Sequence, residues 1–166
     1  KTLENLCITL ERETIDYEVI VVNDHSTDTT GSILKRFSNQ NPKIKSHDNT
    51  EPNGFGFTVR TGFSHCRGEW VAIMMADASD DPQDLVRFYR EAIEKNTDAV
   101  FGHRFVRGGK VVDYPIFKLL LNRLTNWIIC LLFVIRYSDM TNAFKLYRRS
   151  TLSGLEPFLS PHFNLT

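Results

Sequence analysis

Short apolar runs that alternate with helical stretches constrain the fold of this chain more than any other feature. The expected strands cover residues 17–23, 43–47, 69–75 and 98–102. The helical patterns between and around them cover about 3–13, 29–38, 57–66 and 82–95. Strands joined by helices of this length pair in parallel, in a sheet that is covered on both faces. The sequence therefore predicts an α/β fold.

Two of the expected strands end in clusters of oxygen-bearing side chains. The first strand is followed by Asp24, Ser26 and Asp28, and the third by Asp77 and Ser79. Ligands of open parallel sheets bind in the crevice beyond the carboxyl ends of the strands. Two such clusters in one chain indicate a crevice for a nucleotide and a metal ion.

Helix capping is the alternative interpretation of these clusters, and the two roles can coexist. Asp28 precedes a helix and is a natural cap, as Asp81 is before Pro82. Asp24 is different, because a carboxylate at the end of a buried strand can accept hydrogen bonds from a nucleobase or ribose. Asp77 suits Mg²⁺ or Mn²⁺, since such an ion can bind through a single carboxylate together with substrate phosphates.

Further candidate residues lie in the last third of the chain. Arg104 follows a strand, and a guanidinium group makes forked hydrogen bonds to phosphate oxygens. The polar block 138–149 contains Asp139, which could act as a general base or position an acceptor phosphate. Lys145 and Arg148 of the same block could hold anionic groups. A polar turn followed by a strand and a helix start is the alternative for this block.

A long helical segment is expected over residues 115–136. Its first half is amphipathic, whereas 127–135 is apolar on all sides. Nine apolar residues are too few to cross a bilayer, which needs about 20. A core helix and a helix lying in the membrane interface both remain open, and the second would suit an enzyme with a lipid substrate.

Composition limits the classes of partner and the compartment. Twenty basic and twenty acidic residues give no net charge, which argues against a general attraction to nucleic acid. Cys7, Cys66 and Cys130 are widely spaced, which favours reduced thiols in the cytosol over a disulfide framework. The chain begins in a helical pattern and ends without a stop signal, so we expect a single domain over 1–166 that is truncated at both ends.

Five segments in this order resemble the family-2 glycosyltransferases, particularly those that transfer sugars to polyprenol or dolichol phosphate. They are the strand and turn 19–30, the loop and helix that begin at Asn53-Gly54, Met75-Ala76-Asp77 in place of an Asp-x-Asp metal motif, Gly102-His103-Arg104-Phe105, and the block from Asp139 to Arg149.

The resemblance implies a GT-A fold, with a mixed, mostly parallel sheet and helices on both faces. It implies inverting transfer of a hexose from a GDP-mannose or UDP-glucose type of donor to a polyprenyl or dolichyl phosphate. It places the enzyme at the cytoplasmic membrane surface, peripheral or anchored through parts outside this chain, with a Mg²⁺ or Mn²⁺ cofactor.

The resemblance also assigns roles to individual residues. The nucleotide sugar is expected at Asp24, Ser26, Asp28, Asn53, Gly54 and Asp77, and the metal ion at Asp77 and Ser79. Asp139 and Arg104 are the expected catalytic residues, and Lys145 and Arg148 the expected ligands of the acceptor phosphate.

Met75 departs from the family pattern, because it replaces the first Asp of the metal motif. Two alternatives to a lipid-directed enzyme remain. One is a glycosyltransferase with a polysaccharide or protein acceptor. The other is a non-catalytic α/β binding domain, which would also place acidic residues at strand ends.

Overall fold

The computed structural model describes residues 1–103, 116–134, 137, 139 and 142–156. Within this part of the chain the helices are α1 (Thr2–Arg12), α2 (Thr30–Gln40), α3 (Phe55–His65), α4 (Pro82–Glu94), α5 (Ile116–Phe133) and α6 (Arg149–Ser153). The strands are β1 (Val19–Asn23), β2 (Ile44–Asp48), β3 (Trp70–Ile73), β4 (Ala99–Phe101) and β5 (Lys145–Arg148). Helices and strands alternate through α4 and β4 as predicted.

The strands pair in a mixed pattern. β1 and β2 are parallel, in register from Val19 opposite Ile44 to Asn23 opposite Asp48. β5 lies between β3 and β4 and is antiparallel to both. β3 and β4 therefore run in the same direction, and their carboxyl ends meet the start of β5.

Contacts between the two strand groups show that β1 and β3 run the same way. At the amino ends, the Glu18 carboxylate before β1 accepts hydrogen bonds from the Arg67 and Gly68 N–H groups before β3. At the other end, the Thr2 hydroxyl donates to Ala76 O, just after β3, at 3.1 Å. Because α1 runs back from Thr2 to the start of β1, Thr2 lies level with the end of β1. The carboxyl ends of β1, β2, β3 and β4 therefore share one edge.

Helices cover both faces of the β3–β5–β4 group. Adjacent residues of a strand point to opposite faces. Leu146 of β5 joins a buried cluster with Leu6 and Leu10 of α1 and with Leu85, Val86 and Ala92 of α4. Tyr147 joins a second cluster with Val71 and with Leu152 of α6. The expectation of an α/β fold with helices on both faces is confirmed.

Local sequence explains where the helix after the Asp77 loop begins. Pro82 occupies the first turn, where its missing N–H costs nothing, and the Asp81 carboxylate accepts a hydrogen bond from Gln83 N at 2.9 Å. Asp81 is thus a cap, as its position before Pro82 predicts. The apolar face of α4 then packs against α1, which fixes the loop between β3 and α4.

The helix predicted over 115–136 corresponds to α5, which covers Ile116–Phe133. Among the helices of the described residues, none combines the length and the apolar character needed to cross a membrane.

Candidate active site

Asp24 lies at the centre of a hydrogen-bonded corner where β1 ends. Its Oδ1 atom accepts a bond from Asn49 Nδ2 at 2.7 Å, and its Oδ2 atom accepts one from Gly54 N at 3.1 Å. His25 Nδ1 lies 3.3 Å from Oδ1. Asn49 follows β2 and Gly54 precedes α3, so three elements meet at this carboxylate.

The electrostatics of this corner favour an ionised Asp24. Partial burial raises the pKa of its carboxyl group, but hydrogen bonds from Asn49, Gly54 and His25 outweigh burial and hold the pKa below its usual value. About a third of the side chain remains exposed, at 31%. Asp24 can therefore offer a fixed negative charge to a ligand at the sheet edge.

Four other residues assigned to the nucleotide lie in the turn after β1 and in the loop before α3. Asp28 accepts a hydrogen bond from Thr30 N at 2.9 Å, so it caps α2. Ser26 is exposed, and its N–H donates to Asn23 Oδ1 at 3.3 Å. Asn53 is exposed in the loop before α3. Gly54 has a φ of 154°, which L residues rarely adopt, and this conformation aims its N–H at Asp24.

Asp77 lies in an exposed turn at the carboxyl end of β3. Its Oδ1 atom accepts a hydrogen bond from Ser79 N at 2.9 Å, and bonds from the Ser79 side chain and N–H lower the pKa of the Asp77 carboxyl. Ala78 between them has a φ of 63°, in the left-handed region. This sharp turn brings the two oxygen-bearing side chains of Asp77 and Ser79 together.

The donor set around Asp77 fits a cation that is shared with a phosphate ligand. Within the described residues, no group of three or more His, Cys, Asp or Glu side chains could hold a metal ion. Asp80 turns back, and its Oδ2 atom accepts the Met75 N–H at 2.8 Å. Mg²⁺ and Mn²⁺ take oxygen ligands, and Mg²⁺ often binds through one or two carboxylates plus substrate phosphates. Asp77 with the Ser79 hydroxyl matches that pattern.

Asp139 and Lys145 form a buried pair near the start of β5. Asp139 is fully buried, and Lys145 is 3% exposed with Nζ 5.1 Å from the Phe101 ring centroid. Burial lowers the pKa of the Lys145 amine, and the negative charge of Asp139 opposes that shift. Lys145 pairs with Ile73 and Phe101, so it lies at the same sheet edge as Asp77. A phosphate can reach this amine only if the covering residues move.

The structure does not bring Arg148 to this edge. Because β5 is antiparallel to its neighbours, Arg148 lies beside the amino ends of β3 and β4, about 10 Å along the strand from Lys145. Its guanidinium group forms ion pairs with Glu69 at 3.4 Å and Asp98 at 3.5 Å. The side chain of Arg148 thus contacts residues at the opposite end of the sheet. Arg104, the expected clamp, lies outside the described residues.

Sequence reasoning did not single out several residues that build the site. Asn49 is one, and its only sequence signal is an amide at the end of a short strand. Asn142 and Tyr137 were also not singled out. Asn142 Nδ2 and the Tyr137 hydroxyl both donate hydrogen bonds to Gly102 O at 2.7 Å. These bonds attach the segment around Asp139 to the end of β4.

Comparisons with known proteins identify the family of this chain. The family model for glycosyl transferase family 2 matches residues 1–163. The chain is 28% identical over 144 residues to the dolichol-phosphate mannosyltransferase of Pyrococcus furiosus, and 30% identical over 142 residues to the polyprenol monophosphomannose synthase of Mycolicibacterium smegmatis. These alignments cover 86% and 83% of the chain, but only 40% and 53% of the two relatives.

Solved structures support the GT-A assignment of the fold. Staphylococcus aureus TarS (residues 1–349) superposes with a TM-score of 0.59 at 22% identity, covering 93% of this chain and 45% of that one. The mannosyltransferase PcManGT of Pyrobaculum calidifontis, in complex with GDP-Man and Mn²⁺, superposes with a TM-score of 0.58 at 22% identity, covering 95% of this chain and 42% of that one. The family model covers nearly the whole sequence, and the predicted resemblance is confirmed. This chain belongs to glycosyl transferase family 2.

Proposed function

We propose that this domain transfers a hexose from a nucleotide-activated sugar to the phosphate of a polyprenol or dolichol at the cytoplasmic face of a membrane. The observation that carries the proposal is the common sheet edge occupied by Asp24, Asp77 and the Asp139–Lys145 pair. The names of the two curated relatives support a polyprenol-type acceptor and a mannose donor. The chain spans about half of their length or less, so the activity of the whole protein is part of the proposal.

On the donor side, each residue has a distinct task. Asp24 accepts hydrogen bonds from the nucleobase or ribose, and the loop of Asn53 and Gly54 closes around the same end of the nucleotide. Ser26 and Asp28 line the turn beyond Asp24. Asp77 and Ser79 would hold a Mg²⁺ or Mn²⁺ ion together with the diphosphate. When bound there, such an ion would neutralise charge on the departing nucleoside diphosphate.

On the acceptor side, the chemistry needs positioning more than proton removal. An oxygen of the lipid phosphate attacks the anomeric carbon from the face opposite the diphosphate, and the new C–O bond forms as the old one breaks. The electron pair of the broken bond leaves with the nucleoside diphosphate. The attacking phosphate is already anionic near neutral pH, so Asp139 orients Lys145, and Lys145 and Arg104 attract phosphate groups.

Nucleotide binding with and without metal tests the donor side. We expect GDP or UDP to bind the full-length protein more tightly with Mn²⁺ than with EDTA, by calorimetry. Asp77→Asn keeps the shape of the side chain but removes its charge, so the Mn²⁺ effect should shrink at least tenfold, about 1.4 kcal/mol. Asp81→Asn, which changes the exposed cap of α4, is the matched control. An unchanged Mn²⁺ effect in Asp77→Asn would remove that residue from its proposed role.

The surface of α5 supports a membrane-bound acceptor. Ten large apolar side chains of residues 117–134, in α5 and directly after it, are exposed by 42–88%. They are Phe117, Leu120, Leu121, Leu124, Trp127, Ile128, Leu131, Leu132, Phe133 and Val134. Exposed apolar patches of this kind mark contact with a protein or a membrane. We propose that α5 lies in the membrane interface beside the acceptor site.

Vesicle flotation distinguishes a lipid acceptor from a polysaccharide or protein acceptor. Leu121→Glu with Leu131→Glu should lower binding to phosphatidylcholine–phosphatidylglycerol vesicles at least tenfold, because two apolar contacts become charges. Ile93→Glu with Ile8→Glu is the matched control, since these side chains on α4 and α1 are 54% and 63% exposed against 54% and 65% for Leu121 and Leu131. Equal losses in both pairs, or no vesicle binding at all, would favour a soluble acceptor.

A further inference from the structure

Asn49, for which the sequence predicted no role, makes four side-chain hydrogen bonds. The residue is 4% exposed. Its Nδ2 atom donates to Asp24 Oδ1 at 2.7 Å and to Pro52 O at 3.2 Å. Its Oδ1 atom accepts from Glu51 N at 3.1 Å and from the Thr61 hydroxyl at 3.2 Å. A side-chain amide offers two donors and two lone pairs, so the full bonding capacity of Asn49 is used.

The partners of Asn49 allow only one orientation of its amide. The Glu51 N–H can only donate, and an ionised Asp24 carboxylate can only accept. A flipped amide would place its oxygen against the Asp24 carboxylate and its NH₂ group against the Glu51 N–H. The backbone is fixed as well, because Asn49 N donates to Asn23 O at 2.9 Å. Asn49 therefore presents a rigid donor to Asp24.

This rigid donor determines where Asp24 points. Asn49 holds one carboxylate oxygen and Gly54 N holds the other, so rotation of the carboxylate would break both bonds. The direction of the exposed lone pairs is then set by the loop 49–54, which is itself organised by Asn49 through Glu51, Pro52 and Thr61.

We propose that Asn49 is a positioning residue for the nucleotide: it fixes the Asp24 carboxylate in the orientation that the nucleobase or ribose requires. The inference rests on the proposed function, because it assumes a nucleotide at Asp24. It goes beyond that function by assigning affinity for the nucleoside part of the donor to a buried residue that does not contact it.

Asn49→Asp tests the proposal because it changes the donor to an acceptor of almost the same shape. Near pH 8 two carboxylates would face each other where the 2.7 Å bond now lies, and we expect GDP or UDP to bind about tenfold more weakly than to the wild type. Near pH 5 such a pair shares one proton, and an O–H donor replaces the amide donor. The affinity ratio between wild type and variant should then fall to about twofold.

Two features of the measurement separate positioning from mere stability. In calorimetry, the stoichiometry reports the fraction of protein that can bind the nucleotide, and Kd reports the affinity of each site. If Asn49 had a purely structural role, its substitution would lower the stoichiometry and leave Kd unchanged. Each ratio compares variant and wild type at the same pH, and the His25 ring, whose Nδ1 atom lies 3.3 Å from Asp24 Oδ1, is present in both proteins. The carboxylate of Glu51, whose N–H bonds to Asn49, is likewise common to both.

Two further variants complete the test. Asn49→Ala removes the donor without adding a titratable group, so its loss of affinity should be the same at pH 5 and pH 8. Thr61→Val removes the 3.2 Å bond to Asn49 Oδ1 but leaves the donor to Asp24, so Kd should change less than about twofold. Wild-type Kd values in both Asn49 variants would overturn the proposal. A wild-type protein that binds neither GDP nor UDP would instead overturn the proposed function.

Discussion

Gly102 allows a sharp test of how the segment 142–144 packs against β4, because a methyl group at this position has no space. A Cβ atom at this position would lie 2.9 Å from Asn142 Nδ2, 3.0 Å from Phe144 O and 3.1 Å from Phe88 Cζ. Phe144 O is backbone that also accepts the Gly102 N–H at 3.0 Å, and Asn142 Nδ2 is held by its bond to Gly102 O. None of these three atoms can move away without the loss of a bond or of ring packing.

We expect Gly102→Ala to lower the free energy of unfolding by about 2–4 kcal/mol. Overpacking of a filled site costs about 1–3 kcal/mol, and a weakened bond from Asn142 adds about 1 kcal/mol. Gly31→Ala is the matched control, because a Cβ atom there would lie 3.8 Å from its nearest neighbour, Asn23 Nδ2, in ordinary contact. Within the first turn of α2, alanine should be neutral or stabilising by up to about 1 kcal/mol.

The assay is urea unfolding followed by tryptophan fluorescence and circular dichroism, with both variants made in the same protein. A Gly102→Ala midpoint equal to that of the wild type would refute the reasoning, because it would mean that the segment 142–144 does not pack against β4 as described. Equal destabilisation in both glycine variants would refute it as well, because only Gly102 lacks space.

Two further predictions concern metal binding and pH. Met75→Asp places a second carboxylate two residues before Asp77, so Mn²⁺ should bind with measurable affinity even without nucleotide. The control variant Met75→Leu should bind Mn²⁺ as the wild type does. If calorimetry shows no gain in Mn²⁺ affinity for Met75→Asp, position 75 does not face the cation. Burial raises the pKa of Glu18, but bonds from Lys45, Arg67 N and Gly68 N outweigh it and the pKa lies below its usual value. Such a group stabilises the fold above its unfolded pKa, and that contribution disappears as pH falls through the folded pKa. Glu18→Gln should therefore lower the free energy of unfolding by about 1–3 kcal/mol at pH 7, and by progressively less below about pH 4. The control variant Glu94→Gln should change it little at either pH. A decrease for Glu18→Gln that does not depend on pH would contradict the role assigned to this carboxylate.

The sequence predicted the local structure well because the relevant signals are short-range. Apolar runs with helical stretches between them gave β1 to β4, and Pro82 after Asp81 gave the start of α4. The same signals placed Asp24 and Asp77 just beyond strand ends, which the structure confirms. The apolar character of 127–134 is also local, and it reappears as the exposed surface of α5.

The direction of β5 could not be read from its residues. A four-residue strand has the same apolar pattern whether it runs parallel or antiparallel to its neighbours, so Lys145 and Arg148 looked like equal ligands of one phosphate. The antiparallel pairing in the folded protein sends them to opposite ends of the sheet. It also buries Lys145 beside Asp139, a burial that no pattern of charged residues predicts.

By itself, the sequence determined the order of helices and strands, the family, and the carboxylates at the ends of β1 and β3, because each depends on residues that are neighbours along the chain. Only the tertiary structure decided that Asn49 holds Asp24, that Gly102 has no room for a side chain, and that Arg148 lies away from the site. Each feature includes a contact between residues 25 or more positions apart, and these contacts exist only once the sheet has brought those positions together.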